Sequence, residues 1–121
     1  MKILKLTLNK KPFDVMITGE KNREYRKMKE GSKIKKGNRG KLYDIKTNYT
    51  QPKIYDYVEF TNGYGKERPS FTALFIKTSI INSVNKTYSN GLTVKYDEPV
   101  YCIELGDIIE TKNILELKNK I

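Results

Sequence analysis

The chain has 121 residues, 37% hydrophobic and 31% charged, a composition that suits one folded domain and excludes a disordered chain. It contains no His and a single Cys, Cys102, which excludes an intrachain disulfide and a zinc site built on His and Cys, so we expect no metal and no cofactor. No segment approaches the roughly 20 apolar residues of a membrane span, and Lys residues interrupt the first segment, unlike a signal peptide. We therefore expect a cytoplasmic protein without membrane association.

The net charge of +10 is distributed unevenly along the chain. Residues 1–46 contain 15 Lys and Arg against 5 acidic residues, whereas residues 47–121 contain 9 of each. Concentrated positive charge indicates a surface that binds a polyanion, so RNA or a nucleotide-like ligand is the expected partner. The alternative is a solvated, Lys-rich surface that reflects an AT-rich genome.

The first part of the chain alternates strand and helix patterns. Leu residues alternate with polar residues over 3–8, which predicts a strand. Pro12 suits the start of a helix, and the spacing of Phe13, Met16 and Ile17 places all three on one helical face. Gly19 is placed to follow the helix end, and residues 22–27 are typical of a second strand.

Residues 29–46 lose this periodicity, because three glycines interrupt a run of Lys and Arg. We interpret them as a long basic loop or insertion, with room for a short helix or strand. Strands are predicted for 56–61, 71–81, 92–96 and 100–105, a loop from Asn62-Gly63 to Pro69, a turn-like segment for 85–91 and a C-terminal tail for 111–121. Five or six strands with one early helix and short additional helices predict an α+β, mainly β fold that curls into a small barrel.

Five segments, in order, carry a family resemblance: KILKLTL, PFDVMITGEK, the spacing G-x-K-x-x-E-x-R over 19–26, YDYVEFTNGYG and VYCIELGDIIE. Together they resemble the ASCH domain family, a branch of the PUA-like superfamily. The resemblance covers about residues 1–110 and implies one ASCH/PUA-like domain over 1–121. It also implies a small PUA-like β-barrel, with a cleft beside the first helix that carries the signature residues. Members of the family are linked with RNA, coactivators and nucleotide-like ligands.

The signature places a base, an acid and a guanidinium at a helix-to-strand corner. Glu24 and Arg26 share a face if the chain is extended there. Arg26 then suits a phosphate or a base edge, and Glu24 suits an exocyclic amine. A neighbouring Glu24 stabilises the ammonium of Lys21, which favours a cationic ligand contact over a nucleophile. The structural alternative is a Glu24–Arg26 ion pair that only fixes the corner.

One branch of the family resembles N4-acetylcytidine amidohydrolases, and others are associated with RNA cleavage. That likeness implies a catalytic role for Lys21, and we include Glu24 as the second candidate catalytic residue. Glu24 occupies the position of a Thr in the amidohydrolases, and residues 71–81 lack the acid that the later strand carries in them. A small nucleoside amidohydrolase or a ribonuclease is therefore an alternative function, and an adaptor for an acidic protein partner is another.

Further candidate ligand contacts lie in the later glycine-containing loop. Tyr64 stands between two glycines and can stack on a base, and Lys66 and Arg68 add positive charge. Tyr25, Tyr43 and Tyr49 are the other stacking candidates. The predicted nucleic-acid surface comprises Arg23, Lys27, Lys33, Lys35, Lys36, Arg39 and Lys41. The sequence thus predicts an RNA- or nucleotide-binding domain.

Overall fold

The computed structural model describes residues 1–28, 37–63 and 67–114. Its strands are β1 (Ile3–Leu8), β2 (Arg23–Lys27), β3 (Tyr57–Asn62), β4 (Ser70–Ile81), β5 (Val84–Thr87), β6 (Thr93–Tyr96) and β7 (Val100–Lys112). Its helices are α1 (Lys10–Ile17), α2 (Asn38–Leu42) and a 3₁₀ helix (Ile45–Thr47).

Five of the strands form one curled sheet in the order β1-β3-β4-β7-β2. The β1–β3 pair is parallel, and the β3–β4, β4–β7 and β2–β7 pairs are antiparallel. The strands β5 and β6 form a separate antiparallel hairpin. The mainly β, α+β prediction with an early helix is therefore confirmed, and the sheet has the form of a half-barrel with β1 and β2 at its two edges.

Apolar side chains on the concave face of the sheet form the main core with α1. The predicted alternation of β1 is confirmed, since Leu4, Leu6 and Leu8 are all buried. Phe71 joins the sheet to the helix, because its ring centroid lies 5.3 Å from that of Phe13 and 5.2 Å from that of Phe60. The core thus seats α1 against β3 and β4, and the residues that follow α1 lie at the edge of the sheet.

The early helix begins two residues before Pro12, the predicted start. The first backbone hydrogen bond runs from Phe13 N to the carbonyl oxygen of Asn9, so the ring of Pro12 lies in the first turn, where N–H groups have no partner within the helix. Gly19 follows the helix with φ +88°, as predicted, in the left-handed region that favours glycine. The turn at Gly19 directs the chain into β2.

Two segments differ from the sequence expectations. Within the predicted turn 85–91, residues 85–87 belong to β5. Their polar side chains do not form a strand pattern, but backbone pairing with β6 makes them a strand. The last strand continues to Lys112 rather than ending near Leu105, because bulges keep it paired with the long β4. The predicted tail thus begins inside β7, Ile114 is buried in the main core, and residues 115–121 lie outside the described residues.

The predicted basic loop 29–46 contains regular structure in its second half. The helix α2 buries Leu42 in the main core, and Asp44 caps the 3₁₀ helix by accepting a hydrogen bond from Lys46 N at 2.9 Å. The first half, residues 29–36, lies outside the described residues. Among the residues described, no helix has the length and apolarity needed to cross a membrane.

Candidate functional site

The signature residues Lys21, Glu24 and Arg26 meet where the turn after α1 enters β2, and we call them the corner cluster. Lys21 is only 2% exposed. Its Nζ donates to Glu24 Oε1 at 2.9 Å and to the carbonyl oxygen of Arg23 at 2.6 Å, and it lies 3.7 Å from the Met16 sulfur. The Lys21 ammonium therefore has three protein acceptors within reach.

Glu24 connects the two cations of the corner cluster. Its Oε2 accepts a hydrogen bond from Arg26 Nε at 3.0 Å, while Oε1 also accepts from Tyr25 N at 3.3 Å. The predicted common face of Glu24 and Arg26 is confirmed, because both project from β2 toward the main core and form an ion pair. Arg26 also donates from Nη2 to the carbonyl oxygen of Thr7 at 3.0 Å. These contacts agree with the alternative in which a Glu24–Arg26 ion pair fixes the corner. The ligand-binding and catalytic roles of the corner cluster stay predictions.

Lys21 forms part of the wall between two small clefts. One, of about 310 Å³, lies between the end of α1 and the strands β4 and β7, with Phe71 and Gly106 in its lining. The other, of about 380 Å³, lies between β2 and β6, with Lys27 and Tyr96 in its lining. A ligand in either cleft would have to displace an existing partner before it could bond to the Lys21 ammonium.

A cavity of about 740 Å³ lies along α1, and we call it the main cleft. It is bounded by α1, the β3–β4 connection, the β5–β6 turn and the end of β7. Its floor is apolar and consists of Phe13, Val15 and Ile114. Its rim is polar and includes Lys10, Asp14, Asn62, Arg68, Asn90 and Asn113. An apolar floor with a few polar groups around it is typical of small-molecule and cofactor sites.

The predicted ligand contacts are therefore divided between two places. Arg68 lies in the main cleft, whereas Lys21, Glu24 and Arg26 form the corner cluster. Tyr64 and Lys66 lie outside the described residues. The sequence does not identify the three Asn side chains of the rim, because Asn62, Asn90 and Asn113 lie in segments predicted as turns or as the tail. Only the tertiary fold places those segments side by side.

The β5–β6 hairpin is fixed to the helix-to-strand corner by its turn residues. The Glu20 carboxylate accepts hydrogen bonds from the Ser89 hydroxyl and, at 2.7 Å, from Ser89 N, and these bonds lower the pKa of Glu20. Asn90 Nδ2 donates to the carbonyl oxygen of Lys11 at 2.9 Å. Tyr88 is buried, and its burial, followed by the charge effect of Tyr25, raises the pKa of Tyr88 to about 12. These contacts place one side of the main cleft.

The predicted nucleic-acid surface is partly brought together. Asn38 Nδ2 donates to the carbonyl oxygen of Lys27 at 3.0 Å, so α2, with the exposed Arg39 and Lys41, begins next to the end of β2. Arg23 stands at the other end of β2 and pairs with Glu104 at 3.2 Å. The remaining predicted members, Lys33, Lys35 and Lys36, lie outside the described residues.

Comparison of the chain with protein-family models, with curated proteins and with solved structures finds no match. In the described parts of the chain, no group of three or more His, Cys, Asp or Glu side chains is arranged to hold a metal ion. Cys102 is buried, and its burial raises the pKa of its thiol. The main cleft and the distribution of positive charge are the features on which a functional conclusion can rest.

Proposed function

We propose that the protein is an RNA- or nucleotide-binding domain of the ASCH type. The main cleft would hold a base with its sugar, and the basic first part of the chain would hold phosphates. The observation that carries the proposal is the main cleft itself, an apolar floor of Phe13, Val15 and Ile114 under a rim of amides and a guanidinium.

The size and lining of the main cleft support a nucleoside-sized ligand. Its volume of about 740 Å³ falls within the range of roughly 300–1,000 Å³ for small-molecule sites. The apolar floor suits the face of a base, whereas the side-chain amide of Asn62 offers both donors and acceptors to a base edge. The Asn113 Nδ2 donates to the carbonyl oxygen of Arg68 at 3.4 Å, and the Asn113 amide adds an Oδ1 acceptor. Arg68 offers a planar set of donors that suits a phosphate or a guanine edge.

The charges near the rim are nearly balanced, which favours the neutral part of a nucleotide there. Lys10 Nζ lies 2.8 Å from Asp14 Oδ2, and Glu67 stands beside Arg68. The excess positive charge lies elsewhere in residues 1–46, where Lys27, Arg39 and Lys41 are exposed. The five family-like segments support the same function, because members of the family that they resemble are linked with RNA and nucleotide-like ligands.

The experiment is a titration of fluorescently labelled single-stranded RNA, ten nucleotides long, with the full chain at several salt concentrations. We expect binding at low salt. The logarithm of the association constant should fall linearly with the logarithm of the salt concentration, because phosphate contacts release counterions. Arg68→Ala should weaken binding by about five- to a hundredfold. Lys77→Ala removes the same charge from an exposed site in the neutral part of the chain and should change affinity by less than about twofold.

Two results would contradict the proposal. One is an absence of RNA and nucleotide binding at low salt. The other is an equal effect of Arg68→Ala and Lys77→Ala, which would mean that only net charge matters and that the main cleft takes no part.

The enclosure of Lys21 gives no support to the alternative of a Lys21-dependent enzyme, because its ammonium already has three protein acceptors. Incubation with N4-acetylcytidine and with labelled RNA, beside a Lys21→Ala control, tests this alternative directly. Turnover that disappears in Lys21→Ala would revive it.

A further inference from the structure

A further, smaller cavity lies near the start of α2, and its lining is separate from that of the main cleft. It has a volume of about 270 Å³ and is lined by Met28, Arg39, Tyr43, Tyr49, Ile80 and Tyr101. We call it the tyrosine pocket. None of these six residues lines the main cleft. Its volume is below the roughly 300–1,000 Å³ of pockets that enclose whole small molecules, which suits a flat fragment.

Aromatic rings and one guanidinium dominate the lining. The Tyr43 and Tyr101 rings are buried, with centroids 5.5 Å apart, and form the floor. The Arg39 guanidinium lies 4.4 Å from the centroid of the half-buried Tyr49 ring, and Arg39 is itself exposed. The Arg39–Tyr49 stack thus presents a flat cationic and aromatic surface at the rim.

The backbone holds Tyr49 in an unfavourable conformation. Asn48 has φ 56° and Tyr49 has φ 62°, both in the left-handed region, which a bulky side chain rarely adopts. Hydrogen bonds from Asn48 N to Ile45 O at 3.1 Å and from Tyr49 N to Asp44 O at 3.0 Å maintain this turn. Glycine would occupy the Tyr49 position with less strain, so the position favours a use for the ring itself.

The segment that supplies the stack is also positively charged. Arg39, Lys41 and Lys46 are exposed between residues 37 and 49, and the carboxylate of Asp44, the acid of that segment, accepts from Lys46 N in the turn. A cationic, aromatic pocket of single-base size is the arrangement with which proteins hold single-stranded nucleic acid, by stacking on the base and attracting its phosphates.

We infer that the tyrosine pocket binds one base of a single-stranded RNA, stacked on the Arg39–Tyr49 pair, with the flanking phosphates near Lys41 and Lys46. This inference rests on the proposed function and adds a second contact site on the same strand. It predicts that RNA longer than one nucleotide uses the tyrosine pocket as well as the main cleft.

The test uses a ten-nucleotide single-stranded RNA that carries 2-aminopurine, whose fluorescence falls when the base stacks. Four variants of the full chain are compared with the unaltered protein. Tyr49→Phe keeps the ring, and Tyr49→Gly removes it at a position where glycine is unstrained. Asn48→Gly relieves the backbone strain at the neighbouring residue and leaves the Tyr49 ring in place. Arg39→Ala removes the other half of the stack.

We expect Tyr49→Phe and Asn48→Gly to bind within about twofold of the unaltered protein and to keep the fluorescence change. Tyr49→Gly should bind about five- to a hundredfold more weakly and lose that change, because one stacked base is lost. If Tyr49→Gly does not fold, as judged by circular dichroism, Arg39→Ala decides with the same expected loss.

The outcomes separate the two proposals. RNA binding that Arg68→Ala weakens but Tyr49→Gly and Arg39→Ala leave unchanged overturns the tyrosine pocket and retains the proposed function. RNA binding that the pocket variants weaken while Arg68→Ala has no effect supports the tyrosine pocket and overturns the role of the main cleft. No binding of RNA by the unaltered protein overturns the tyrosine pocket, and no binding of RNA or of a free nucleotide at low salt overturns both proposals.

Discussion

The Arg26 guanidinium on β2 donates a hydrogen bond of 3.0 Å from Nη2 to the carbonyl oxygen of Thr7 on β1. These two strands are the opposite edges of the five-stranded sheet, so this side chain spans the gap that the curled sheet leaves open. The same guanidinium bonds through Nε to Glu24 at 3.0 Å. One residue of the family-like signature therefore satisfies an edge carbonyl and joins both edges of the half-barrel.

Replacing Arg26 should destabilise the fold more than an ordinary surface substitution. Arg26→Ala leaves Thr7 O and Glu24 Oε2 without this partner, and its side chain is only 23% exposed. Because hydrogen bonds to charged groups contribute about 1.5–3 kcal/mol, we expect a loss of about 2 kcal/mol in the free energy of unfolding. Urea unfolding followed by circular dichroism measures this value.

The matched control is Arg23→Ala on the same strand. Arg23 is half exposed and pairs with Glu104 at the surface, so its loss should cost less than about 1 kcal/mol. Equal losses for the two variants would show that Arg26 does not join the sheet edges in solution.

Lys21 and Glu24 should behave as one unit in stability measurements. Lys21→Met leaves the Glu24 carboxylate, 7% exposed, without its nearest cation, and we expect a loss of about 3 kcal/mol or more. The double variant Lys21→Met/Glu24→Gln removes both members of the Lys21–Glu24 pair, so its loss of stability should be smaller than the sum of the two single losses. A double-mutant cycle from urea unfolding provides the coupling energy.

For comparison, Lys10→Met removes an exposed ion pair with Asp14 on α1 and should cost no more than about 0.5 kcal/mol. Additive effects of Lys21→Met and Glu24→Gln would mean that the two side chains are not in contact.

The contact between Glu20 and Ser89 should make stability depend on acid pH. Its hydrogen bonds lower the pKa of Glu20 from 4.5 in the folded state, so the stabilisation is complete above about pH 4.5 and is lost as the pH falls through the folded pKa. Ser89→Ala removes the hydroxyl hydrogen bond, which is the largest cause of the lowered pKa of Glu20. Its stability deficit should be constant near neutral pH and shrink in acid, as measured by urea unfolding between about pH 3 and pH 7.

Ser83→Ala, an exposed substitution before the same hairpin, serves as the reference and should show no such pH-dependent deficit. A Ser89→Ala deficit that is equal at all pH values would exclude the Glu20 contact as its source.

Alkaline pH should act through Tyr88. Its pKa is raised from 10 to about 12 in the folded state, and burial is the largest cause. The contribution of the neutral Tyr88 to folding stability is therefore complete below about pH 10 and is lost as the pH rises toward 12. Tyr88→Phe should therefore lose less stability over that interval than the unaltered protein. In the native-state tyrosinate absorbance titration, the difference between the two proteins should have its midpoint near pH 12, and a midpoint near pH 10 would contradict the burial.

The local structure around the corner was predictable because it depends on neighbours in sequence. The alternation of Leu residues in β1, the glycine after α1 and the common face of Glu24 and Arg26 all follow from the periods of strand and helix. The strand β5 was not predictable, since its polar residues are strand-forming only beside β6. The same holds for the extension of β7, which depends on pairing with β4.

By itself, the sequence determined the mainly β fold, the position of the turn into β2 and the concentration of positive charge in residues 1–46, because composition and short-range periodicity are local properties. Only the tertiary structure decided that Lys21 is enclosed, that Arg68 lies in a different cleft from it, and that Arg39 stacks on Tyr49. These relationships depend on side chains that meet across strands or beside a packed helix, and burial and partner choice are settled only when the chain has curled around its core.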